Sequence, residues 1–237
     1  MPKMNNPIRL AQKEVLNVFA NRSLSFALAG GTALELYYLH HRFSADLDFF
    51  STAYSNREVN AIVSELRKRF KGIKLESELR VLGKAKVRFY SIPIKGARQL
   101  KIDFIEDVII EKPKINKFNS IPVYSAGDIY FHKIVTITGL RPEKDEIGRQ
   151  VMSGRKKARD VFDVYMLSKK ILPLHLFVNK IPGYLQRGLV HWYRSFSRQD
   201  LKLALLELDI YDKKFNARKM IIYLENEIKR FIDMVLE

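Results

Sequence analysis

Two aspartates separated by a single residue are the first candidates for chemistry. Asp46 and Asp48 stand in the segment DLDFF, in which Leu47 and Phe49 are apolar. In a β-strand, residues i and i+2 point to the same side, so both carboxylates would share one face while the apolar residues enter the core. Close carboxylates repel each other unless a cation joins them, and Mg²⁺ or Mn²⁺ accepts both carboxylate and phosphate oxygens. The alternative is a pair of solvated surface aspartates.

A third aspartate lies in another segment of alternating polarity. In QLKIDFI, Lys101 and Asp103 alternate with three apolar residues, which predicts a strand with both polar side chains on one face. If this strand neighbours the first one, Asp103 completes a carboxylate cage for two metal ions. Such ions lower the pKa of an attacking hydroxyl and hold a leaving pyrophosphate. A lone strand aspartate, however, is more often a surface residue.

A glycine-rich junction precedes these carboxylates in the chain. Gly30, Gly31 and Thr32 follow a short apolar run and open an amphipathic segment. Glycines between a strand and a helix let the backbone approach a ligand, and the helix amino terminus offers unpaired N–H groups to anions. A triphosphate would fit there, whereas the alternative is an ordinary turn with Thr32 as a helix cap. The Walker pattern G-x-x-x-x-G-K-[ST] is absent.

The elements that must position these residues can be predicted from periodicity. The first half of the chain shows strands mixed with helices, and the glycines Gly83 and Gly96 stand where hairpin turns would need them. The predicted strands cover residues 25–29, the DLDFF segment, 74–82, 86–93 and 99–105, and the predicted helices start near residue 10, at Thr32 and at residue 56.

Helical periodicity dominates the second half. Ser125 and Asp128 form a capping box for a helix over residues 127–139, and a polar loop over 141–155 leads to a helix over 156–170. The sequence therefore predicts the α+β class, with a mixed α/β domain over residues 1–124 and a helical domain over 125–237.

Composition narrows the class of ligand. The 237 residues include 42 Lys and Arg against 26 Asp and Glu, so the formal net charge is +16. Such an excess attracts polyanions, which favours nucleic acid or a nucleotide as the ligand. The absence of cysteine excludes disulfides, thiolate nucleophiles and Cys-ligated zinc. No signal peptide and no run of about 20 apolar residues is present, so we expect a cytoplasmic protein without a membrane partner.

The run LAGGTALELYYLHHRFSADLDFF resembles the first motif of the AbiEii/AbiGii nucleotidyltransferase toxins, a group within the DNA polymerase β-like superfamily. The superfamily signature consists of a glycine pair, a helix and D-x-D, and it falls on Gly31, Thr32, Asp46 and Asp48. Arg42 and Ser44 match the HRxSxDLDFF pattern of the AbiEii/AbiGii group. The resemblance implies a polymerase β-like nucleotidyltransferase with a mixed sheet and helices, followed by an α-helical domain.

Two downstream segments resemble further motifs of the same group. DIYFHKIVTITG places Lys133 at the motif lysine, and RKKARDVFDVYML places Asp160 at the motif aspartate. In similar proteins these two residues are needed for activity, so the resemblance implies that the helical domain contributes both to the site. Lys133 would neutralise triphosphate charge. Asp160 would orient Lys133 or serve as the base for the acceptor hydroxyl.

The resemblance implies a Mg²⁺-dependent enzyme that transfers a nucleoside monophosphate from an NTP to RNA. The expected acceptor is the tRNA 3′ end, and the expected setting is a bacterial toxin–antitoxin or phage-defence pair with a cognate antitoxin protein. The metal ligands would be Asp46, Asp48 and Asp103, and the residues that bind the nucleotide would be Gly30, Gly31, Thr32, Arg42, Ser44, Lys101 and Lys133.

Two other functions remain open on the sequence. One is an antibiotic nucleotidyltransferase with a small-molecule acceptor, which the basic composition disfavours because cationic drugs need an acidic pocket. The other is a non-catalytic nucleotide- or RNA-binding module, which has no need of a repulsive carboxylate pair.

Overall fold

A seven-stranded mixed sheet forms the framework of the first part of the molecule. The computed structural model describes residues 6–79, 85–96, 98–139, 142–144, 150–152 and 157–236, with the short stretches 142–144 and 150–152 described by their backbone. The sheet strands are β1 (Ala27–Ala29), β2 (Leu47–Ser51), β3 (Lys74–Leu79), β4 (Val87–Ile92), β5 (Leu100–Glu106), β6 (Ile115–Phe118) and β7 (Ile121–Tyr124). Their order is β3-β4-β5-β2-β1-β7-β6, in which β2 pairs with β5 and β1 with β7 in parallel while the other neighbours are antiparallel.

Helices cover this sheet with their apolar faces. They are α1 (Asn6–Arg22), α2 (Gly30–Ala33), which continues as a π-helix over Leu34–Leu39, and α3 (Asn56–Arg69). The ring of Phe19 in α1 stacks on that of Phe49 in β2, with 4.0 Å between centroids. The core side of β2 is therefore fixed by aromatic packing, and the alternate residues of the strand are directed away from the core.

The second part is mainly helical. It contains α4 (Ala126–Thr138), α5 (Ala158–Lys170), α6 (Leu174–Val178), α7 (Gly183–Ser195), α8 (Arg198–Leu205) and α9 (Ala217–Leu236), together with a hairpin of β8 (Pro142–Lys144) and β9 (Gln150–Met152). The predicted capping box at the start of α4 is confirmed, because the Asp128 N–H donates to Ser125 Oγ at 3.1 Å. Helix α9 buries one apolar stripe, made of Met220, Ile221, Leu224, Ile228 and Phe231.

The chain divides into two compact units. The first comprises the residues up to Tyr38 and Phe43–Asp128, and the second comprises Leu39–Arg42 and the residues from Ile129 onward. The boundary predicted from the sequence, between residues 124 and 125, lies shortly before this division. The periodicity gave no sign that a short segment from the first half belongs to the helical unit.

Several predictions of local structure need correction. The helix predicted from Thr32 begins at Gly30 and is π-helical over its second part. The β6–β7 hairpin was not predicted from the sequence. Its two-residue turn consists of Asn119 and Ser120, which take positive φ values of 46° and 68°. The segment predicted as a loop over 141–155 contains strands β8 and β9. The turn predicted at Gly83 lies outside the described residues.

Within the described residues, no helix combines the length and apolar composition that crossing a bilayer requires.

Candidate active site

Two of the three predicted carboxylates lie side by side on the sheet of the first unit. Strands β2 and β5 are parallel, and their register pairs Asp48 with Asp103. Paired residues of neighbouring strands point to the same face, with backbones about 4.8 Å apart. Both aspartates are half-buried, whereas Leu47, Phe49 and their counterparts on β5 are buried on the opposite face. The structure thus brings together the carboxylates that the sequence placed on separate strands.

Asp46 stands one residue before β2. The alternation of burial extends to it, because Asp46 and Asp48 are half-buried while Leu47 between them is buried. This alternation is the pattern expected if the two carboxylates share one side of the segment. Lys101 is exposed and lies two residues before Asp103 on β5, which places it on the carboxylate face.

Gly30 closes one side of the carboxylate pair. It takes φ +69°, and a Cβ atom built on it would lie 2.2 Å from Asp48 Oδ2. Any side chain at this position would occupy the space of the Asp48 carboxylate, and the backbone conformation itself favours glycine. Gly30 was predicted to let a ligand approach the backbone. In the structure, the absence of a side chain at Gly30 makes room for the Asp48 carboxylate.

Side chains of the first unit hold the backbone that leads into the D-x-D segment. The amide of Gln12, on α1, donates to the carbonyl oxygens of Ser44 at 2.9 Å and Ala45 at 2.8 Å. The hydroxyl of Thr32 donates to the carbonyl oxygen of Asp46. Because Gln12 and Thr32 are fully buried, these bonds fix the approach to Asp46 in a site protected from water.

A buried ion pair also holds the backbone that leads into the D-x-D segment. The Arg9 guanidinium pairs with the Glu35 carboxylate and donates to Gln12 Oε1 at 2.7 Å. The other oxygen of Glu35 accepts the backbone N–H of Ser44 at 2.8 Å. The sequence analysis missed this network, although Glu35 inside the apolar run TALELYYL was a visible signal. Ser44, predicted to bind nucleotide, is held in it through its backbone.

The carboxylate pair fits the protein part of a Mg²⁺ site. Mg²⁺ is usually held by one or two carboxylates together with substrate phosphates and water, rather than by a cage made only of protein. Asp48 and Asp103 on one half-buried face supply such a set. Across the described stretches, no three His, Cys, Asp or Glu side chains converge as a ready-made metal site. The three-carboxylate cage with Asp46 therefore stays a prediction.

The second unit contains a separate buried charge cluster around Asp163. This carboxylate is fully buried and accepts Arg42 Nε at 2.7 Å and Nη2 at 2.8 Å. It also contacts His41 Nε2 at 2.8 Å and Lys133 Nζ at 2.8 Å. Lys133 in turn lies 2.6 Å from Asp160 Oδ1. Two carboxylates and two permanent cations thus balance each other in the interior.

Mutual attraction shifts the pKa values in this cluster. Burial alone would lower the pKa of Lys133, but the charges of Asp163 and Asp160 outweigh it and raise that pKa above its ordinary value. Burial would likewise raise the pKa of Asp163, but Arg42, Lys133 and the hydrogen bond of His41 hold it well below the usual range. Both groups therefore remain charged at neutral pH.

The cluster changes the roles predicted for its members. Arg42 was predicted to contact phosphate, but it is only 4% exposed and its guanidinium forms a two-pronged contact with Asp163. The contact between Asp160 and Lys133 matches the first of the two roles considered for Asp160, that of orienting the lysine. Asp163 and His41 were not identified as site residues, although Asp163 follows Asp160 by one turn of α5.

Comparison with known proteins bears on what this arrangement does. The family model described as nucleotidyl transferase AbiEii toxin, type IV toxin–antitoxin system, matches residues 16–235. The chain belongs to the AbiEii family. It is therefore a nucleotidyltransferase of a toxin family, and the family assignment made from the motifs is confirmed.

Solved structures show the same fold at low sequence identity. JHP933 from Helicobacter pylori is 18% identical with a TM-score of 0.57, covering 99% of this chain and 96% of its own. A candidate nucleotidyltransferase from the same organism is 17% identical with a TM-score of 0.59, covering 99% and 98%. MenT4, a nucleotidyltransferase toxin from Mycobacterium tuberculosis, is 13% identical with a TM-score of 0.51, covering 98% and 86%. A search of curated protein sequences gave no match.

Proposed function

We propose that this AbiEii-family protein is a Mg²⁺-dependent enzyme that transfers a nucleoside monophosphate from an NTP to RNA, at the tRNA 3′ end. In this proposal it acts as the toxin of a toxin–antitoxin or phage-defence pair and is restrained by a cognate antitoxin protein. The observation that carries the catalytic part is the register of Asp48 with Asp103 on one face, beside Gly30.

The reaction determines what these residues must do. The oxygen of an acceptor hydroxyl forms a bond to the α-phosphorus of the NTP, and the bond from that phosphorus to the pyrophosphate oxygen breaks. When bound, Mg²⁺ neutralises the leaving pyrophosphate and lowers the pKa of the hydroxyl. Asp46 and Asp48 would hold the ion, and Asp103 would complete its ligands or accept the hydroxyl proton.

The residues around the carboxylates bind the triphosphate in this proposal. The helix start at half-buried Gly30 is a candidate because anions favour the N–H groups there, whereas Gly31 and Thr32 are buried and support this turn from within the protein. Lys101 is a candidate because its exposed ammonium lies on the carboxylate face. For Lys133, neutralisation of phosphate charge stays a proposal, supported by its position in the motif and by a pKa that keeps it charged.

The choice of RNA as acceptor rests on charge. A net charge of +16 attracts a polyanion and is poorly suited to a cationic small molecule. The family supplies the toxin setting, since its description is that of a type IV toxin–antitoxin system.

A transfer assay tests the proposal. Purified protein is incubated with Mg²⁺, bacterial total tRNA and each of the four NTPs labelled at the α-phosphate. We expect label from one NTP to enter RNA, and Asp48→Asn to lower the rate about a hundredfold or more. Asp233→Asn, at an exposed position on α9, is the matched control for loss of a carboxylate. Label that reaches only small molecules would refute the RNA acceptor, and full activity of Asp48→Asn would refute the catalytic assignment.

A further inference from the structure

A cavity of about 370 Å³ lies within the second unit, between α5, the start of α9 and the segment that precedes α9. It is accessible to solvent, since several of its lining residues are exposed. Its walls combine two chemical types, ammonium groups and aromatic rings, which come from residues distant in sequence. These groups belong to Lys169, Lys170, Lys214, Lys219, Tyr165 and Phe215, among others.

Positive charge dominates the rim. Lys169, Lys170, Lys214 and Lys219 are all exposed, and one carboxylate, that of Asp212, lines the cavity with them. The Asp212 carboxylate already accepts the backbone N–H of Lys214 at 2.8 Å and so helps to shape the turn there. Four lysines around one opening attract phosphate groups and gain from the counterions that phosphates release.

Aromatic rings form the floor. Phe162 meets Phe215 edge to face with 5.0 Å between centroids, and Tyr165 lies 6.4 Å from Phe215. Tyr165 and Phe215 are half-buried, so each keeps part of its ring accessible. The Lys169 ammonium stands 5.5 Å from the centre of the Tyr165 ring. Flat apolar surfaces beside cations are the pattern with which proteins bind unpaired bases and their backbone.

Two further lining residues, His40 and His41, belong to a segment of unusual conformation. His40 takes φ +50°, and the carbonyl oxygen of the next residue, His41, accepts the Tyr211 N–H at 3.1 Å. The His41 side chain is fully buried and stacks on Phe162, with 5.6 Å between centroids. Its Nε2 contacts Asp163, while its Nδ1 has no hydrogen-bond partner. A buried polar atom without a partner at a cavity wall is a position where a ligand can gain a hydrogen bond.

The cavity adjoins the charge cluster around Asp163 through His41, which lines the cavity and contacts Asp163, but the acidic members of that cluster do not line it. Along α5, Phe162, Tyr165 and Lys169 follow a helical stripe of their own, whereas Asp160 and Asp163 lie on another. The charges that balance Lys133 are therefore not the groups that line the cavity.

We infer that this cavity binds one nucleotide unit of single-stranded RNA. Its base stacks on Phe215 and meets Tyr165 edge-on, because the two ring planes are inclined at 62°. The phosphates on either side contact the rim lysines. The cavity volume suits a single nucleotide-sized group, since the smallest ligand pockets have volumes of about 300 Å³. The choice of RNA rests on the proposed function, in which an RNA acceptor must be held while its end reacts.

The test measures binding without catalysis. A fluorescein-labelled single-stranded oligoribonucleotide is titrated with the full-length protein in EDTA without NTP, over a series of salt concentrations. Lys169→Ala with Lys214→Ala removes two rim charges. Lys180→Ala with Lys213→Ala removes two exposed charges outside the cavity and is the matched control.

For two lost phosphate contacts, the slope of log affinity against log salt should fall by about 1.4, which corresponds to roughly 25-fold weaker binding at 0.1 M salt. The control pair should change affinity by less than about threefold. Phe215→Leu should weaken binding about fivefold or more at every salt concentration, because stacking does not depend on counterions. Its melting curve, compared with that of wild type, separates lost stacking from lost folding.

Equal effects of the two lysine pairs would overturn the inference, because binding would then follow bulk charge alone. Free AMP that competes as well as the oligonucleotide would overturn the choice of RNA. Asp48→Asn should bind the oligonucleotide like wild type, so failure of the transfer assay and failure of this inference are separate results.

Discussion

Replacing Asp163 with asparagine keeps the shape of the side chain and removes the charge that holds the cluster in the helical unit together. In wild type, Asp163 is fully buried within 2.8 Å of Arg42, His41 and Lys133. In Asp163→Asn, the cluster would keep two buried cations and one carboxylate, that of Asp160, which contacts Lys133. The stability of the wild-type protein therefore includes the attraction between the Asp163 charge and these cations, which asparagine cannot replace.

The size of this term follows from the number of partners. Removing one member of a buried ion pair costs about 3–5 kcal/mol, and Asp163 faces two cations, so we expect the upper part of that range. For a chain of this length, 1 kcal/mol shifts the melting temperature by about 2–4 °C. Asp163→Asn should therefore lower it by roughly 8–20 °C.

Thermal unfolding followed by circular dichroism measures the effect. Asp233→Asn, exposed on α9, should shift the midpoint by no more than about 2 °C. Arg42→Gln combined with Asp163→Asn leaves Lys133 with Asp160, so the double variant should lose less than the sum of the single variants.

The pH dependence provides a second check. The folded-state pKa of Asp163 is depressed, so its contribution is present above the unfolded pKa, about 3.9, and is lost as pH falls through the lower folded value. The difference between wild type and Asp163→Asn should thus stay constant from pH 8 to pH 5. A shift for Asp163→Asn as small as that of the control would refute the account of the cluster.

Three further predictions concern single positions. Gly30→Ala should reduce transfer activity at least tenfold, because the added Cβ meets the Asp48 carboxylate. Gly96→Ala is the control, because Gly96 has φ +74° and open space around it. It should cost only backbone strain of about 1–2 kcal/mol and leave activity unchanged. Thr32→Val should lower both stability, by about 1–3 kcal/mol, and kcat, because a buried carbonyl loses its donor; an unchanged kcat would show that this bond does not position the D-x-D segment. The raised pKa of Lys133 contributes stability that is complete below about pH 10.4 and lost as pH rises through the folded value, so the melting difference between wild type and Lys133→Met should narrow only in alkaline buffer.

The sequence predicted the carboxylate strands well because their signal is local. The alternation in DLDFF and QLKIDFI fixes which side chains leave the core, and burial in β2 and β5 follows it residue by residue. Their adjacency could not be read from the alternation itself. It depends on a parallel pairing that joins residues more than 50 positions apart, and the sequence analysis could state this adjacency only as a condition.

Polar residues in the interior were harder to interpret. Arg42 was expected to contact phosphate because it is basic and matches the family motif, but its guanidinium binds Asp163, which is far along the chain. Arg9 and Gln12 were not singled out in the sequence, although they lie three positions apart and are both buried on α1. In each case the decisive partner is distant in sequence, and no local pattern identifies it.

Diffraction at the manganese edge tests the central claim directly. Crystals of the protein grown with Mn²⁺ and a non-hydrolysable NTP analogue should show an anomalous peak within coordination distance of the Asp48 and Asp103 carboxylates, with the triphosphate beside Gly30. The same experiment on Asp48→Asn should lose that peak. The assignment of this sheet face as the catalytic site would be contradicted if manganese and triphosphate were bound elsewhere, provided that the crystallised protein is active in the transfer assay.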